Sequence, residues 1–286
     1  MKKFKYVVPK EFDGALLQNF LMKAHGYSKR LIIDLKHGGI SVNGKHLRMV
    51  DKVFEGDIVE TEFSDNFTKL IPNPDLKVEV VFEDDDLIVF DKPSDMPVHP
   101  SALYYNDTLG NYFAALFEKE QMAFRPINRL DRDTTGLCIS AKNTLAANKI
   151  SKTLQKEYFA IVKGILEEKQ GTIDLPLIRV PGSIITRKVD ENGQRAVTHY
   201  KVIEEFSDYS LVSVILETGR THQIRVHFSH IGHPLEGDTL YGGRDEFIRR
   251  QALHCGKITF IHPQTGELTE ISSPLPPDMQ KLTHRD

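Results

Sequence analysis

Pro126-Ile127-Asn128-Arg129-Leu130-Asp131-Arg132-Asp133-Thr134-Thr135-Gly136 runs directly into Leu137-Cys138-Ile139-Ser140-Ala141, a polar loop feeding an apolar run. The apolar run alternates sides, the period of a half-buried strand. The loop places Asp131 between Arg129 and Arg132, at the mouth of the sheet that this strand would join. Flanking cations favour the charged form of such an acid, as a nucleophile or base requires. The same residues would also serve as surface ion pairs, each worth on the order of 0–1 kcal/mol. The rest of the chain decides between the two.

On either side, short strands and turns dominate. Residues 78–82 and 87–90 flank the acidic turn Glu83-Asp84-Asp85-Asp86, a hairpin pattern. Residues 108–118 and 143–154 carry helical spacing, and residues 186–197 read as a hairpin around Asn192-Gly193 with basic flanks. Strands without regular strand–helix alternation predict an α+β fold with a mostly antiparallel sheet. At 286 residues the chain has room for two domains. Its apolar stretches are too short to span a bilayer, and no signal-peptide core follows Met1-Lys2-Lys3-Phe4-Lys5. Cys138 and Cys255 sit in predicted strands and read as small buried hydrophobes of a reducing cytoplasm. The net charge of −3 decides nothing about nucleic acid, because bases gather locally at the N-terminus and between Arg179 and Arg195.

Ile71-Pro72-Asn73-Pro74 interrupts every regular pattern within residues 64–77, so a linker is expected there. Before it, Phe12, Leu16, Leu17, Phe20 and Leu21 recur at helical spacing, and Ser28 caps a second helix carrying Leu31, Ile32 and Leu35. His37-Gly38-Gly39 stops that helix. A strand at residues 40–45 closes on an Asn-Gly turn, and another follows at 58–62. This order, with Ser28-Lys29-Arg30, Gly38-Gly39-Ile40-Ser41-Val42-Asn43-Gly44 and Val53-Phe54-Glu55-Gly56-Asp57, resembles the S4 RNA-binding domain. Lys29, Arg30, Lys36 and Lys45 would line a face that meets phosphates.

Three further segments carry chemistry. In Glu217-Thr218-Gly219-Arg220-Thr221-His222-Gln223-Ile224-Arg225-Val226-His227-Phe228, the spacing of Ile224, Phe228 and Ile231 predicts a short helix capped by Thr221. Arg220 would stand at its positive end, an anion receptor for an RNA phosphate or for Asp131. His222, His227, His230 and His233 lack zinc spacing and read as packing or hydrogen-bonding residues. In Lys156-Glu157-Tyr158-Phe159-Ala160-Ile161-Val162, alternation puts Tyr158, Ala160 and Val162 on one strand face. Tyr158 is a core residue there, or a platform on which a base stacks.

Together these segments resemble the RluA/RluD-type family of pseudouridine synthases. The family's His-Arg-Leu-Asp and Thr-Ser-Gly motif appears as Asn128-Arg129-Leu130-Asp131 and Thr134-Thr135-Gly136. Its Gly-Arg-Thr-His-Gln-Ile-Arg-Val-His block stands unchanged at 219–227. Asp91-Lys92-Pro93, Val98-His99-Pro100, Gly237-Asp238 with Tyr241-Gly242, and Gln251-Ala252-Leu253-His254 with His262-Pro263 match as well. Asn128 replaces the usual His and Thr135 the common Ser; Asp91 and Asp95 stand where Asn and Gly are frequent.

The resemblance implies a small S4-like α/β domain at residues 1–70, a linker to about 77, and a catalytic domain at 78–286. It implies conversion of uridine to pseudouridine in RNA, ribosomal RNA of the large subunit ahead of transfer RNA, by a cytoplasmic monomer needing neither cofactor nor metal. It marks Asp131 as the essential carboxylate, Arg220 as its partner, and Tyr158 as the residue that stacks on uracil and assists removal of the C5 proton. Arg129 would fill the gap left by the flipped base and Ile224 would pack the pocket floor. Arg225, Lys29, Arg30, Arg187 and Lys188 would bind substrate. The competing expectation is a non-catalytic S4-type RNA-binding or ribosome-associated factor, against which Asp131, Tyr158 and Arg220 argue. A glycoside hydrolase using Asp131 and Asp133 ranks last, because it needs one carboxyl raised in pKa and the flanking arginines act the other way.

Overall fold

In the computed structural model, which describes residues 3–36, 39–63, 70–120, 122–243 and 248–284, the chain opens with a small antiparallel sheet. Strands β1 (Lys3–Val7), β2 (Ile40–Val42) and β3 (Ile58–Glu62) lie in the order β1-β3-β2. Helices α1 (Leu17–His25) and α2 (Lys29–Leu35) share a core with it. Helical spacing delivers Leu17, Phe20 and Leu21 to full burial. Ser28 caps α2 by accepting the Leu31 N–H at 3.3 Å, worth about 1 kcal/mol. Asn43 and Gly44 both take positive φ and turn β2 back onto Lys45. The sequence pattern does not announce β1, whose lysines alternate with Phe4 and Tyr6. It is added along β3, where Lys3 lies 3.4 Å from Glu62 and Lys5 3.5 Å from Glu60. Of the expected helix stop, His37 and Gly38 lie outside the described residues, as do residues 64–69 of the expected linker.

The body begins with β4 (Glu79–Glu83), β5 (Leu87–Lys92), α3 (Leu109–Leu116), β6 (Arg125–Pro126), β7 (Thr135–Ala141) and α4 (Thr144–Thr153). It continues through β8 (Gln155–Lys163), β9 (Gln170–Asp174), β10 (Leu177–Arg179), β11 (Arg187–Val189), β12 (Val197–Glu205) and β13 (Tyr209–Leu216). Helix α5 (Gln223–His230), β14 (Leu253–Ile261), β15 (Leu268–Ser272) and α6 (Pro277–Thr283) complete it. Ten strands form one mixed sheet, ordered β4-β5-β7-β14-β8-β13-β12-β9, with β15 on β14 and β6 on β7. Its pairings are antiparallel except β7 with β14, so the fold is α+β with a mostly antiparallel sheet. The N-terminal core is separate from the sheet's main core but recruits Leu145 from α4, and Lys152 of α4 donates to the Gly26 carbonyl at 2.9 Å.

Two expectations are corrected. Strand β7 is not half-buried: all seven residues are buried, because it lies inside the sheet between β5 and β14 with core on both faces. Residues 186–197 do not pair with each other. β11 pairs with β10 in a separate two-stranded sheet, while β12 is taken by β9 and β13. The Asn192-Gly193 turn instead brings Gln194 back against Leu177, with bonds of 2.8 and 2.9 Å.

Gly136 makes the parallel junction possible. Its φ is +107°, and a Cβ there would lie 2.3 Å from the Cys255 carbonyl oxygen. Only glycine accepts both the backbone and the approach, so β14 can lie against the end of the Asp131 loop.

Candidate active site

The loop carrying Asp131 is tied down on every side. Ile127 N–H bonds the Ile139 carbonyl at 2.8 Å. Asn128, buried, then imitates a strand residue: its amide donates to the Leu137 carbonyl and accepts the Ile139 N–H, both at 2.9 Å. This side chain extends the β6–β7 pairing by one step and delivers Asp131 past the strand end. From below, the wholly buried Lys92 donates to the carbonyls of Pro93, Met96 and Arg132 at 2.8, 2.8 and 2.9 Å. Arg250 donates to the Asp133 carbonyl at 3.3 Å, and Gln251 to the Thr134 hydroxyl at 3.2 Å. Thr135 Oγ1 meets His254 Nδ1 at 2.9 Å. Asp133 forms a two-pronged pair with Arg132 at 3.0 Å, which leaves Asp131 as the acid that faces the pocket.

The expected partner of Asp131 is corrected. Arg220 does not bond it; its Nε donates to the Arg195 carbonyl at 3.1 Å. Arg225 takes the place, with Nη1 3.2 Å from Asp131 Oδ2. The cause is where α5 starts. Thr221 is not the N-cap: His222 is, in the left-handed region at φ +58°, a conformation that histidine adopts more readily than most residues. The Gln223 side chain closes the preceding turn, accepting from Thr218 Oγ1 and the Arg220 N–H at 2.9 Å each. Arg220 is thus left exposed on the turn, and the buried face of α5 presents Ile224 and Arg225 inward.

Arg225 is itself clamped. Its Nε and Nη2 donate to the two oxygens of Asp238 at 2.7 and 2.8 Å, and only 8% of its side chain and 1% of that of Asp238 is exposed. A buried fork–fork pair of this kind fixes a guanidinium in orientation, so the remaining Nη1 is aimed. His222 Nε2 lies 3.7 Å from the same Asp131 oxygen. Oδ1 of Asp131 accepts no hydrogen bond from any described residue and is left to the pocket.

That pocket, about 70 Å³, is walled by Leu130, Asp131, Tyr158, Ile224, Arg225 and Leu253, and a cleft of about 590 Å³ leads into it past His99, Arg129, Lys156 and Arg220. Tyr158 and Ile224 are buried, as stacking and packing surfaces require. Burial holds the Tyr158 hydroxyl well above the usual phenol range, with Cys255 and Asp131 adding to it. The phenol therefore meets a substrate in its protonated form.

Arg129 is exposed at the rim of the cleft. Lys29 and Arg30 are exposed at the start of α2, away from the cleft lining. Arg187 turns its guanidinium onto the carbonyls of Ile185 and Thr186, and Lys188 pairs with Asp190 at 2.7 Å. His227 is spent between Thr198 Oγ1 and the Leu175 carbonyl. Residue patterns alone miss Asp238, His222, Tyr241, Lys92 and Arg250 as parts of this assembly. The signals for four of them are family motifs: Gly237-Asp238, Tyr241-Gly242, Asp91-Lys92-Pro93, and the block at 219–227 for His222; Arg250 lies in none of the quoted motifs.

Residues 86–230 match the family described as RNA pseudouridylate synthase. Over 287 aligned residues the chain is 40% identical to "Uncharacterized RNA pseudouridine synthase YjbO" of Bacillus subtilis (strain 168), covering 96% of this chain and 97% of that protein. It is also 40% identical over 273 residues to "Ribosomal large subunit pseudouridine synthase D" of Vibrio cholerae, covering 87% and 83%. Among solved structures, human RNA pseudouridylate synthase domain containing 1 is similar with a TM-score of 0.60 and 27% identity, over 73% of this chain and 89% of that one.

Proposed function

Because the chain belongs to the RNA pseudouridylate synthase family and is thereby an isomerase acting on RNA, we propose that it modifies uridine in large-subunit ribosomal RNA with Asp131 as the essential carboxylate. The observation that carries the assignment of Asp131 is the clamp. One Asp131 oxygen is held by an arginine that a buried acid orients, and the other opens on a pocket backed by Tyr158. The ribosomal substrate is supported by the name of the Vibrio cholerae relative.

The reaction breaks the bond from ribose C1′ to uracil N1, forms one from C1′ to C5, and moves the proton from C5 to N1 through solvent or a side chain. Nothing is oxidised or added. The uridine must leave its stack, at a cost of a few kcal/mol, and the cleft rim supplies replacements for what it loses. Arg129 stacks in the vacated position, and Arg220 takes a phosphate at the entrance. Tyr158 lies under the uracil as a protonated donor, so the C5 proton leaves to another acceptor or through this phenol only as it passes its own proton on. Arg225 keeps Asp131 oriented throughout. Lys29 and Arg30 of the N-terminal module, with Arg187 and Lys188 of β11, extend the contact along the RNA backbone.

Pseudouridine mapping of ribosomal RNA from cells with and without the protein tests this. Loss of a large-subunit site is expected, restored by the wild-type chain and not by Asp131→Asn, which still binds RNA. Loss of no site would favour a non-catalytic RNA-binding or ribosome-associated factor.

A further inference from the structure

Tyr241 joins three parts of the molecule. Its hydroxyl accepts the backbone N–H of Arg187 in β11 at 3.0 Å and lies 2.8 Å from His222 Nδ1. Its ring lies beneath the Arg225 guanidinium, 5.0 Å from centroid to the central carbon. Its carbonyl accepts from Ser229 Oγ of α5 at 2.7 Å. One residue therefore touches both groups that face Asp131 Oδ2, and it is bonded to the two-stranded β10–β11 sheet.

With the Arg187 N–H already accepted, the tautomer that serves a donor at Nε2 has the phenol giving its one proton to His222 Nδ1. His222 then carries its own proton on Nε2, toward Asp131 Oδ2. The groups facing His222 are Asp131 from the loop, Arg225 from α5, Asp238 and Tyr241 from the segment after it, and Arg187 from β11. Burial lowers the histidine's pKa against the pull of Asp131, so the donor offered is neutral. At 3.7 Å the contact is too long for a hydrogen bond, and a shift of under an ångström closes it. Catalytic hydrogen bonds commonly tighten in that way when substrate binds.

We propose that Tyr241 is a positioning residue for the isomerisation: it fixes His222 as an N–H donor to Asp131 Oδ2, and ties that donor to the β10–β11 sheet through the Arg187 backbone. The proposal rests on the assignment of Asp131 above. The β10–β11 sheet carries Arg179, Arg187 and Lys188, with Ile184 and Ile185 exposed in its connection. The Tyr241 hydroxyl thus joins the His222 donor to the strand that carries Arg187 and Lys188.

Single-turnover rates on in vitro transcribed large-subunit ribosomal RNA, with the full chain, test it. Tyr241→Phe keeps the ring over Arg225 and removes only the hydroxyl. Expected are unchanged RNA affinity and a rate about 10- to 100-fold lower, the scale of a misplaced reacting group. The acid limb of the rate profile also moves to higher pH, because Nδ1 is freed to bind a proton. His222→Gln, whose amide reaches toward Asp131, should outperform His222→Asn. Backbone strain alone predicts the reverse order, since Asn suits the left-handed region better. An unchanged rate and profile in Tyr241→Phe, a loss confined to RNA affinity, or Asn at least as active as Gln would overturn the proposal. Asp131→Asn is the control: if it still isomerises, the assignment of Asp131 itself fails. If it is inactive while Tyr241→Phe matches wild type, only the role of Tyr241 fails.

Discussion

Arg225 holds Asp131 with one nitrogen and Asp238 with the other two, so a single guanidinium ties the carboxylate in the pocket to one buried behind it. The two acids differ in what they lose when removed. Asp131 is 28% exposed and shares Arg225; Asp238 is 1% exposed and is that arginine's main partner.

Asp131→Ala should therefore leave the fold nearly intact. Arg225 keeps two bonds to Asp238, and a partly solvated pair contributes about 1 kcal/mol or less. Urea denaturation is expected to show a midpoint close to wild type, while pseudouridine formation disappears. A large loss of stability would mean that Asp131 is structural.

Asp238→Ala should do the opposite first. It leaves a buried guanidinium with two of its three bonds gone and only the partly exposed Asp131 as counter-ion, and breaking a buried pair by removing one partner costs about 3–5 kcal/mol. The expected result is a large fall in the denaturation midpoint. Activity should also fall in whatever folds, because Nη1 of Arg225 is no longer aimed.

Much of this arrangement was legible before the structure, and the failures share a cause. Strands β5 and β8 and helices α3 and α4 follow from local alternation and spacing, which residues fix among near neighbours. The hairpin at 186–197 failed because its Asn-Gly turn is real but the pairing partners are distant: Leu177 for Gln194, and β9 and β13 for β12. Arg220 and Arg225 lie five residues apart, and which of them reaches Asp131 depends on the helix start. The left-handed backbone of His222 moves that start to Gln223. A buried arginine requires a buried acid, and Asp238 is too far along the chain for spacing to name it.

The glycine at the end of the loop should be irreplaceable. Gly136→Ala forces a side chain into φ +107° with its Cβ 2.3 Å from the Cys255 carbonyl oxygen. Strained backbone and overpacking each cost about 1–3 kcal/mol, so a loss of about 2–6 kcal/mol is expected by chemical denaturation. A variant as stable as wild type would show that β7 and β14 separate without penalty.

Asn128 should act through geometry. Asn128→Ala removes both mimicked strand bonds and leaves the Leu137 carbonyl and Ile139 N–H without that partner. Each unsatisfied buried group costs about 1–3 kcal/mol. Reduced stability is expected together with a slower single-turnover rate, since the loop no longer leaves β7 in register. Loss of stability with an unchanged rate would show that Lys92, Arg250 and Gln251 place Asp131 without it.

Lys92 sets up opposite trends with pH. Burial lowers its pKa from 10.5 to about 8, so between those values the unfolded chain binds a proton that the folded chain does not. Stability from this group therefore rises with pH through that window, by up to about 3 kcal/mol; below about 8 both states are protonated and the burial penalty stands in full. Positioning runs the other way. An ammonium has three donors for the carbonyls of Pro93, Met96 and Arg132, and a neutral amine has two. The Arg132 carbonyl adjoins Asp131, so activity should decline above about pH 8 while the Lys92 contribution to stability grows. Comparing denaturation midpoints and single-turnover rates of wild type and Lys92→Met across this range separates the two trends. The variant should lack the Lys92-dependent part of both trends. If wild type and variant share the same alkaline limb, Lys92 does not hold the loop.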